Sequence, residues 1–249
     1  MLKAEREGNV LRLTLNRPEV RNAFDERLIA ALAEAFTELP EGVRAVVLAG
    51  EGEAFCAGGD LNWMRRAADQ TFEENRHDAF GLASMLATIR NCPVLTVARI
   101  HGSCFGGGCG LAAAVDVALA AEDTKFAFSE VKLGLVPATI APVVLEKIGP
   151  GHARALFATA EIFDGVEAVR IGLVRRAVPF GKLHEAVERI LKLGRAAAPG
   201  AVAVSKQLAL NPPETLEQAA TLLAERRATD EGKEGIAAFL EKRAPRWAQ

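Results

Sequence analysis

Two glycine-rich turns carry the chemistry that this chain can offer. Ala54-Phe55-Cys56-Ala57-Gly58-Gly59-Asp60-Leu61 follows one apolar run, and His101-Gly102-Ser103-Cys104-Phe105-Gly106-Gly107-Gly108-Cys109-Gly110 follows another. Turns stripped of side chains let the main chain approach a ligand closely. Two of them, at the ends of two strands, can aim two N–H groups at one oxygen. Donors fixed in that way stabilise a developing oxyanion, and losing one typically costs about 2.7–4 kcal/mol of transition-state stabilisation. The reaction is then one in which a carbonyl becomes enolate-like or tetrahedral. Downstream, Glu130 follows the run Phe126-Ala127-Phe128-Ser129 and precedes Val131, Leu133 and Leu135. An apolar wall there would desolvate the carboxylate, raise its pKa and suit it to carry a proton.

Other chemistries fit the residues less well. Gly106-Gly107-Gly108 lacks the Lys-Ser/Thr tail of a Walker loop and, with Leu111 in the last position, fails the dinucleotide GxGxxG pattern. Ser103 is preceded two residues earlier by His101, where a nucleophile elbow needs glycine. Ser129-Glu130-Val131-Lys132 matches S-x-x-K without its companion motifs. Four scattered histidines hold no i, i+4 pair for a metal. A single glycine turn is ordinarily a device for close packing; two, each after a strand and with Glu130 downstream, argue for a site. Asp60 reads as the cap of a helix starting at Leu61, His101 as a satisfied strand-end histidine, and Cys109 as an unreactive neighbour of the turn.

The elements that must position these turns alternate. Residues 2–7 and 10–15 read as strands around a Gly8-Asn9 turn. Leu28, Ile29, Leu32, Phe36 and Leu39 repeat at helical spacing after Asp25. Arg44–Gly50 and Val94–Ile100 are buried-strand runs, separated by a helical stretch over 61–90. A short helix ends near Asp116, a strand runs through Ala121, and helices follow over 138–148, 151–159 and 164–171, with Val174–Val178 a last strand. From residue 182 the pattern is helical, with Asn211 as an N-cap before Pro212. The expectation is an α/β core, 1–190, with a helical region, 191–249.

Half the residues are apolar, enough for one sizeable core, and the formal net charge of -2 comes without a basic stripe, which argues against nucleic acid. Cys56, Cys92, Cys104 and Cys109 lack CxxC spacing and read as buried thiols of a reducing compartment. The N-terminus has no apolar signal core, and the longest apolar stretch, Leu111 to Ala121, is too short to span a bilayer and is broken by Asp116. The expectation is a soluble cytoplasmic protein.

Six segments in order resemble the crotonase (enoyl-CoA hydratase/isomerase) superfamily over essentially the whole length. They are Asn16-Arg17-Pro18 through Asn22-Ala23; Ala54–Leu61; His101-Gly102 through Gly108; Phe128–Pro137; Ile171-Gly172-Leu173-Val174; and Glu234-Gly235-Ile236 through Lys242-Arg243. The resemblance implies a ββα spiral core with a C-terminal helical trimerisation region, assembled as a trimer or dimer of trimers. It implies an acyl-CoA thioester as substrate, with coenzyme A part of that substrate and no metal or redox cofactor. It places the oxyanion donors on the N–H groups of Gly59 and Gly107, the acid/base on Glu130, and the CoA channel near Arg21, Ala23, Ala57, Asp60 and Leu61. Lys242 of a neighbouring subunit is the candidate for the CoA phosphates.

One position departs from the pattern. Typical hydratases of this superfamily carry a glutamate three residues after the oxyanion glycine, and here that position is Gly110. Moving a double bond needs one carboxylate, whereas adding water uses a base for water and an acid for the α-carbon. Residue count therefore favours an isomerase. Against this, Asp60–Arg66, Phe105–Leu111 and Ser129–Leu135 resemble a bacterial subgroup associated with hydration of branched glutaconyl-CoA esters, whose members also lack that glutamate. A substrate of that kind needs a cation for its distal carboxylate, and Arg65, Arg66 and Arg76 are the candidates. The expectation is an enoyl-CoA hydratase acting on a short or branched 2-enoyl-CoA of the 3-methylglutaconyl type. An isomerase with Glu130 as sole proton shuttle is the alternative, and a catalytically weak acyl-CoA-binding protein is the alternative of another class.

Overall fold

The computed structural model describes residues 1–248. Eight strands run in chain order as β1 (Leu2–Glu7), β2 (Val10–Leu15), β3 (Ala45–Gly50), β4 (Leu95–Ile100), β5 (Ser103–Phe105), β6 (Val117–Ala121), β7 (Lys125–Ala127) and β8 (Arg176–Val178). β1 and β2 form an antiparallel hairpin. The larger sheet continues in parallel in the order β1-β2-β3-β4-β6-β8, and β5 and β7 make a small parallel pair of their own. Parallel strands covered on both faces read as unbroken apolar runs, which is why Ala45-Val46-Val47-Leu48 stands out in the sequence.

Among the described residues ten helices connect and cover the strands: α1 (Glu26–Thr37), α2 (Leu61–Ala68), α3 (Phe72–Arg90), α4 (Gly107–Ala114), α5 (Ala141–Thr159), α6 (Gly165–Arg170), α7 (Leu183–Ala196), α8 (Pro199–Leu210), α9 (Leu216–Ala228) and α10 (Asp230–Leu240). On one face of the sheet α1, α3 and α4 bury Leu13, Leu28, Leu32, Leu48, Met85 and Ile89 in the main core. On the other face Leu183, Val187 and Leu191 of α7 pack with Val47, Val97 and Leu119. The boundary expected at 190/191 thus falls inside α7.

Two local readings change. The 61–90 stretch is two helices, because the Thr71 hydroxyl and the Glu74 carboxylate form a reciprocal cap that starts α3 afresh. Asn211 does not start a helix: it closes α8, its N–H donating to the Gln207 carbonyl, and Pro212 and Pro213 then prevent continuation. Thr215 is the cap of α9, with Gln218 reaching back. The break expected between the helices over 138–148 and 151–159 is present: within α5 the backbone leaves helical geometry at Gly149, with φ 69°, just before Pro150.

Candidate active site

The two glycine turns lie side by side. Leaving β3, the chain pairs with the segment leaving β4: Phe55 N–H donates to His101 O (2.9 Å), Cys56 N–H to Ser103 O (3.1 Å) and Phe105 N–H to Cys56 O (2.9 Å). Gly58 has φ 94° and Gly106 has φ 49°, left-handed values that favour glycine. A Cβ on Gly58 would lie 3.2 Å from Phe105 O, and one on Gly106 would lie 3.9 Å from the Gly58 Cα. The closeness of the turns depends on the missing side chains.

Each turn presents one free amide. Gly59 is held in a parallel bridge with Phe24, through Phe24 N–H to Gly58 O (2.7 Å) and Asp60 N–H to Phe24 O (2.8 Å). Those bonds use the residues on either side of Gly59, so its own N–H points away from Phe24. Gly107 opens α4, where first-turn amides have no helical acceptor and the helix dipole is positive. Among the described residues neither the Gly59 nor the Gly107 N–H has a protein acceptor.

Glu130 begins a single 3-10 turn, Glu130–Leu133, and lies against the second glycine turn. A Cβ on Gly106 would be 3.1 Å from its Oε1. Its Oε2 is buried without a hydrogen-bond partner among the described residues. Burial pushes the Glu130 carboxyl above the usual carboxylate range, opposed only by its own backbone N–H.

A cavity of about 630 Å³ opens between these groups. Arg21, Ala23, Ala57, Asp60 and Leu61 line it together with Gly59, Gly107 and Glu130, so the structure gathers these sequence-expected residues in one place. Lys242 is not on it; it lies in the exposed turn after α10, with φ 55°. Leu133 and Leu135, expected as an apolar wall beside Glu130, line it, and so does Met64.

Asp60 is structural as expected. Its carboxylate accepts from the Asn62 and Trp63 amides and caps α2. Burial raises its pKa, but those amides and Arg17, whose Nη2 donates over 2.8 Å, outweigh this and hold it below the usual range. Arg17 also donates to Ala23 O (2.7 Å) and pairs with Asp25, the cap of α1, at 3.3 Å. One guanidinium thereby ties the 17–25 turn to the 57–61 turn. Of the three cations considered for a substrate carboxylate, Arg66 is paired with Glu26 and Arg76 with Glu73. Arg65 lines the cavity and, among the described residues, donates only to the Asn62 side chain.

At Gly110 the structure is closed. A Cβ there would lie 2.6 Å from Ile140 Cγ2 and 3.2 Å from Leu86 Cδ1. Apolar atoms fill the place into which a longer side chain would extend. His101 is buried with Nε2 2.8 Å from Gly52 O, and Cys56, Cys104 and Cys109 are fully buried, burial pushing the Cys56 thiol up to about 12. A second cavity, about 520 Å³, lies under α8, where Lys206 pairs with Asp116 and Arg90 with Glu146; no glycine turn reaches it.

The family model described as enoyl-CoA hydratase/isomerase matches residues 5–249. The chain belongs to the enoyl-CoA hydratase/isomerase family. Pseudomonas aeruginosa AtuE superposes with a TM-score of 0.96 at 41% identity, over 100% of this chain and 99% of that one. An enoyl-CoA hydratase from Mycobacterium smegmatis superposes at 0.92 with 36% identity, over 100% and 99%. The crotonyl-CoA hydratase of Syntrophomonas wolfei is 32% identical over 96% of this chain and 94% of its own. The fold is therefore the crotonase fold, and the protein is an enzyme of enoyl-CoA hydratase/isomerase type. Among the described residues no helix is long and apolar enough to cross a membrane.

Proposed function

We propose that this enzyme adds water across the 2,3 double bond of a short or branched 2-enoyl-CoA, using Glu130 as its only acid/base. The observation that carries the reading is a burial-raised carboxylate, with one unpartnered oxygen, set against the turn that bears one of two free amides. The thioester oxygen accepts from the Gly59 and Gly107 N–H groups, which draws electron density from C3. Glu130 takes a proton from water as the water oxygen bonds to C3, and the resulting enolate is held by the two amides. The Glu130 carboxyl then gives that proton to C2. One water is consumed, and Glu130 returns to its starting charge.

The acyl group we assign is a glutaconyl type branched at C3, with Arg65 as the cation for its distal carboxylate. Among the described residues Arg65 lines the cavity without an acidic partner, unlike Arg66 and Arg76. For the assembly we propose a homo-oligomer, a trimer or dimer of trimers, in which Lys242 of a neighbouring copy meets the CoA phosphates. Leu216, Phe239 and Leu240, each more than 70% exposed on α9 and α10, support a covered C-terminal surface.

One observation favours the isomerase instead. The closure at Gly110 leaves Glu130 without a second carboxylate from α4, and a single shuttle suffices to move a double bond. Mass spectrometry with 2- and 3-enoyl-CoA esters, 3-methylglutaconyl-CoA included, in isotopically labelled water separates the readings. Hydration yields a product heavier by one labelled water. A product isomeric with its substrate, differing only by exchanged protons, assigns the isomerase. Tight binding without turnover on any ester assigns the acyl-CoA binder.

A further inference from the structure

We infer that Phe24 is the spacer that fixes the relative placement of the two carbonyl-polarising N–H groups, a positioning role that rests on the thioester reading above. Its main chain clasps the first turn: Phe24 N–H to Gly58 O at 2.7 Å and Asp60 N–H to Phe24 O at 2.8 Å bracket Gly59 and orient its amide. Its side chain stops the second turn: a Cβ on Gly107 would lie 2.6 Å from Phe24 Cε2 and 2.9 Å from Cδ2. The ring edge is therefore packed directly on the first residue of α4.

The two attachments lie on one residue, so the separation of the donors is set across the short distance from the Phe24 main chain to its own ring. That ring is 1% exposed and cannot swing aside without disturbing the core. Gly107 has no such anchor of its own, because its amide is reserved for the ligand and the bond at the start of the turn is made by Gly106, whose N–H donates to Ala127 O at 2.9 Å. Removing the ring frees the first turn of α4 to settle toward the space left behind. A displacement near 1 Å in a reacting geometry costs about 100-fold in rate, whereas binding of the CoA moiety depends on other parts of the cavity. The effect belongs in kcat, with little change in KM.

The test uses Phe24→Leu, with Phe36→Leu as a control for core stability, since Phe36 is equally buried (2% exposed) at the far end of α1. The probe is 4-(dimethylamino)cinnamoyl-CoA, an enoyl thioester whose absorption moves to the red as its carbonyl is polarised. Phe24→Leu is expected to lose most of the red shift of the bound probe and about 10- to 100-fold in kcat, with KM within about twofold. Phe36→Leu is expected to keep both at a similar loss in melting temperature. Gly107→Ala supplies a second reading that leaves Phe24 in place: alone it forces the turn off the ring and lowers kcat, and in the Phe24→Leu background it restores part of the loss. A full red shift and kcat in Phe24→Leu, or strictly additive effects of the two substitutions, would overturn the spacer. No red shift in the unmutated enzyme would overturn the thioester site, and the spacer with it.

Discussion

Replacing Gly110 by alanine tests whether the position of the usual first carboxylate is closed. The added methyl would sit 2.6 Å from Ile140 Cγ2 and 3.2 Å from Leu86 Cδ1, against the roughly 3.5–4.0 Å that carbon pairs prefer. Something must shift by about 1 Å, and both neighbours are 1% exposed, with little room to yield. Overpacking of this kind costs about 1–3 kcal/mol. Alanine is favoured over glycine inside a helix by roughly 0.5–1 kcal/mol, which leaves a net loss of about 0.5–2 kcal/mol. For a chain of this size that lowers the melting temperature by about 1–8 °C. The decisive assay is a double-mutant cycle with Ile140→Ala, which removes Cγ2, read by urea unfolding. Alone, Ile140→Ala costs about 2–5 kcal/mol; combined with Gly110→Ala, the new methyl fills part of the hole, and the pair should cost at least about 1 kcal/mol less than the sum. Additivity within about 0.5 kcal/mol, or an unchanged melting temperature for Gly110→Ala, would refute the steric closure and reopen this position to a water or side chain.

Glu130→Gln should lower turnover by about 10²–10⁴-fold and raise stability near neutral pH. The Glu130 pKa is raised by burial, so its contribution to stability is present below the unfolded value, about 4.3, and is lost as pH rises through the folded value. Melting curves of the two proteins should then converge in acid; a variant no more stable than the parent at pH 7 contradicts the desolvated carboxylate. Glu234 is the opposite case, held down to about 2 by Arg243, with Arg246 adding to it. Its stabilisation is present above about pH 4.3 and fades as pH falls toward 2, so Glu234→Gln should melt lower at pH 7, with the gap closing in strong acid. Arg17→Met leaves the buried carboxylates of Asp60 and Asp25 without their shared cation. A loss of about 3–5 kcal/mol in denaturant unfolding is expected, and a loss under 1 kcal/mol would show that the helix caps satisfy those acids unaided.

The frame and most of the site were legible in the sequence for a common reason. Parallel strands buried on both faces must be apolar along their length, so β3 and β4 announce themselves, and glycine clusters directly after them mark where the main chain is exposed to a ligand. Glu130 was legible as an acid among hydrophobic residues, and its unpartnered Oε2 fits that reading. Phe24 was not. By type it is an ordinary core residue, and its contacts with Gly59 and Gly107 join segments remote in the chain. Ile140 is hidden in the same way, since nothing before α5 signals that one methyl group closes the space beside Gly110. The ends of α2 and α8 were misplaced for a different reason: Thr71-x-x-Glu74 and Thr215-x-x-Gln218 are capping boxes readable from spacing alone. Each gives a stronger start signal than the uninterrupted helical periodicity over 61–90 or the isolated Asn211.

Because the polarising groups proposed at Gly59 and Gly107 are main-chain amides, most substitutions at this site cannot delete them. A change at Gly58, Gly106, Gly107 or Gly108 can only add atoms, and the nearest obstacles are a carbonyl oxygen, the Glu130 carboxylate, the Phe24 ring and Cys56. Damage here takes the form of intrusion, and it should be tolerated in proportion to how far the intruded neighbour can retreat. The proton-handling half of the site is written in side chains and can be exchanged one residue at a time. Such a division lets a lineage alter what happens to the double bond while the grip on the thioester stays in place.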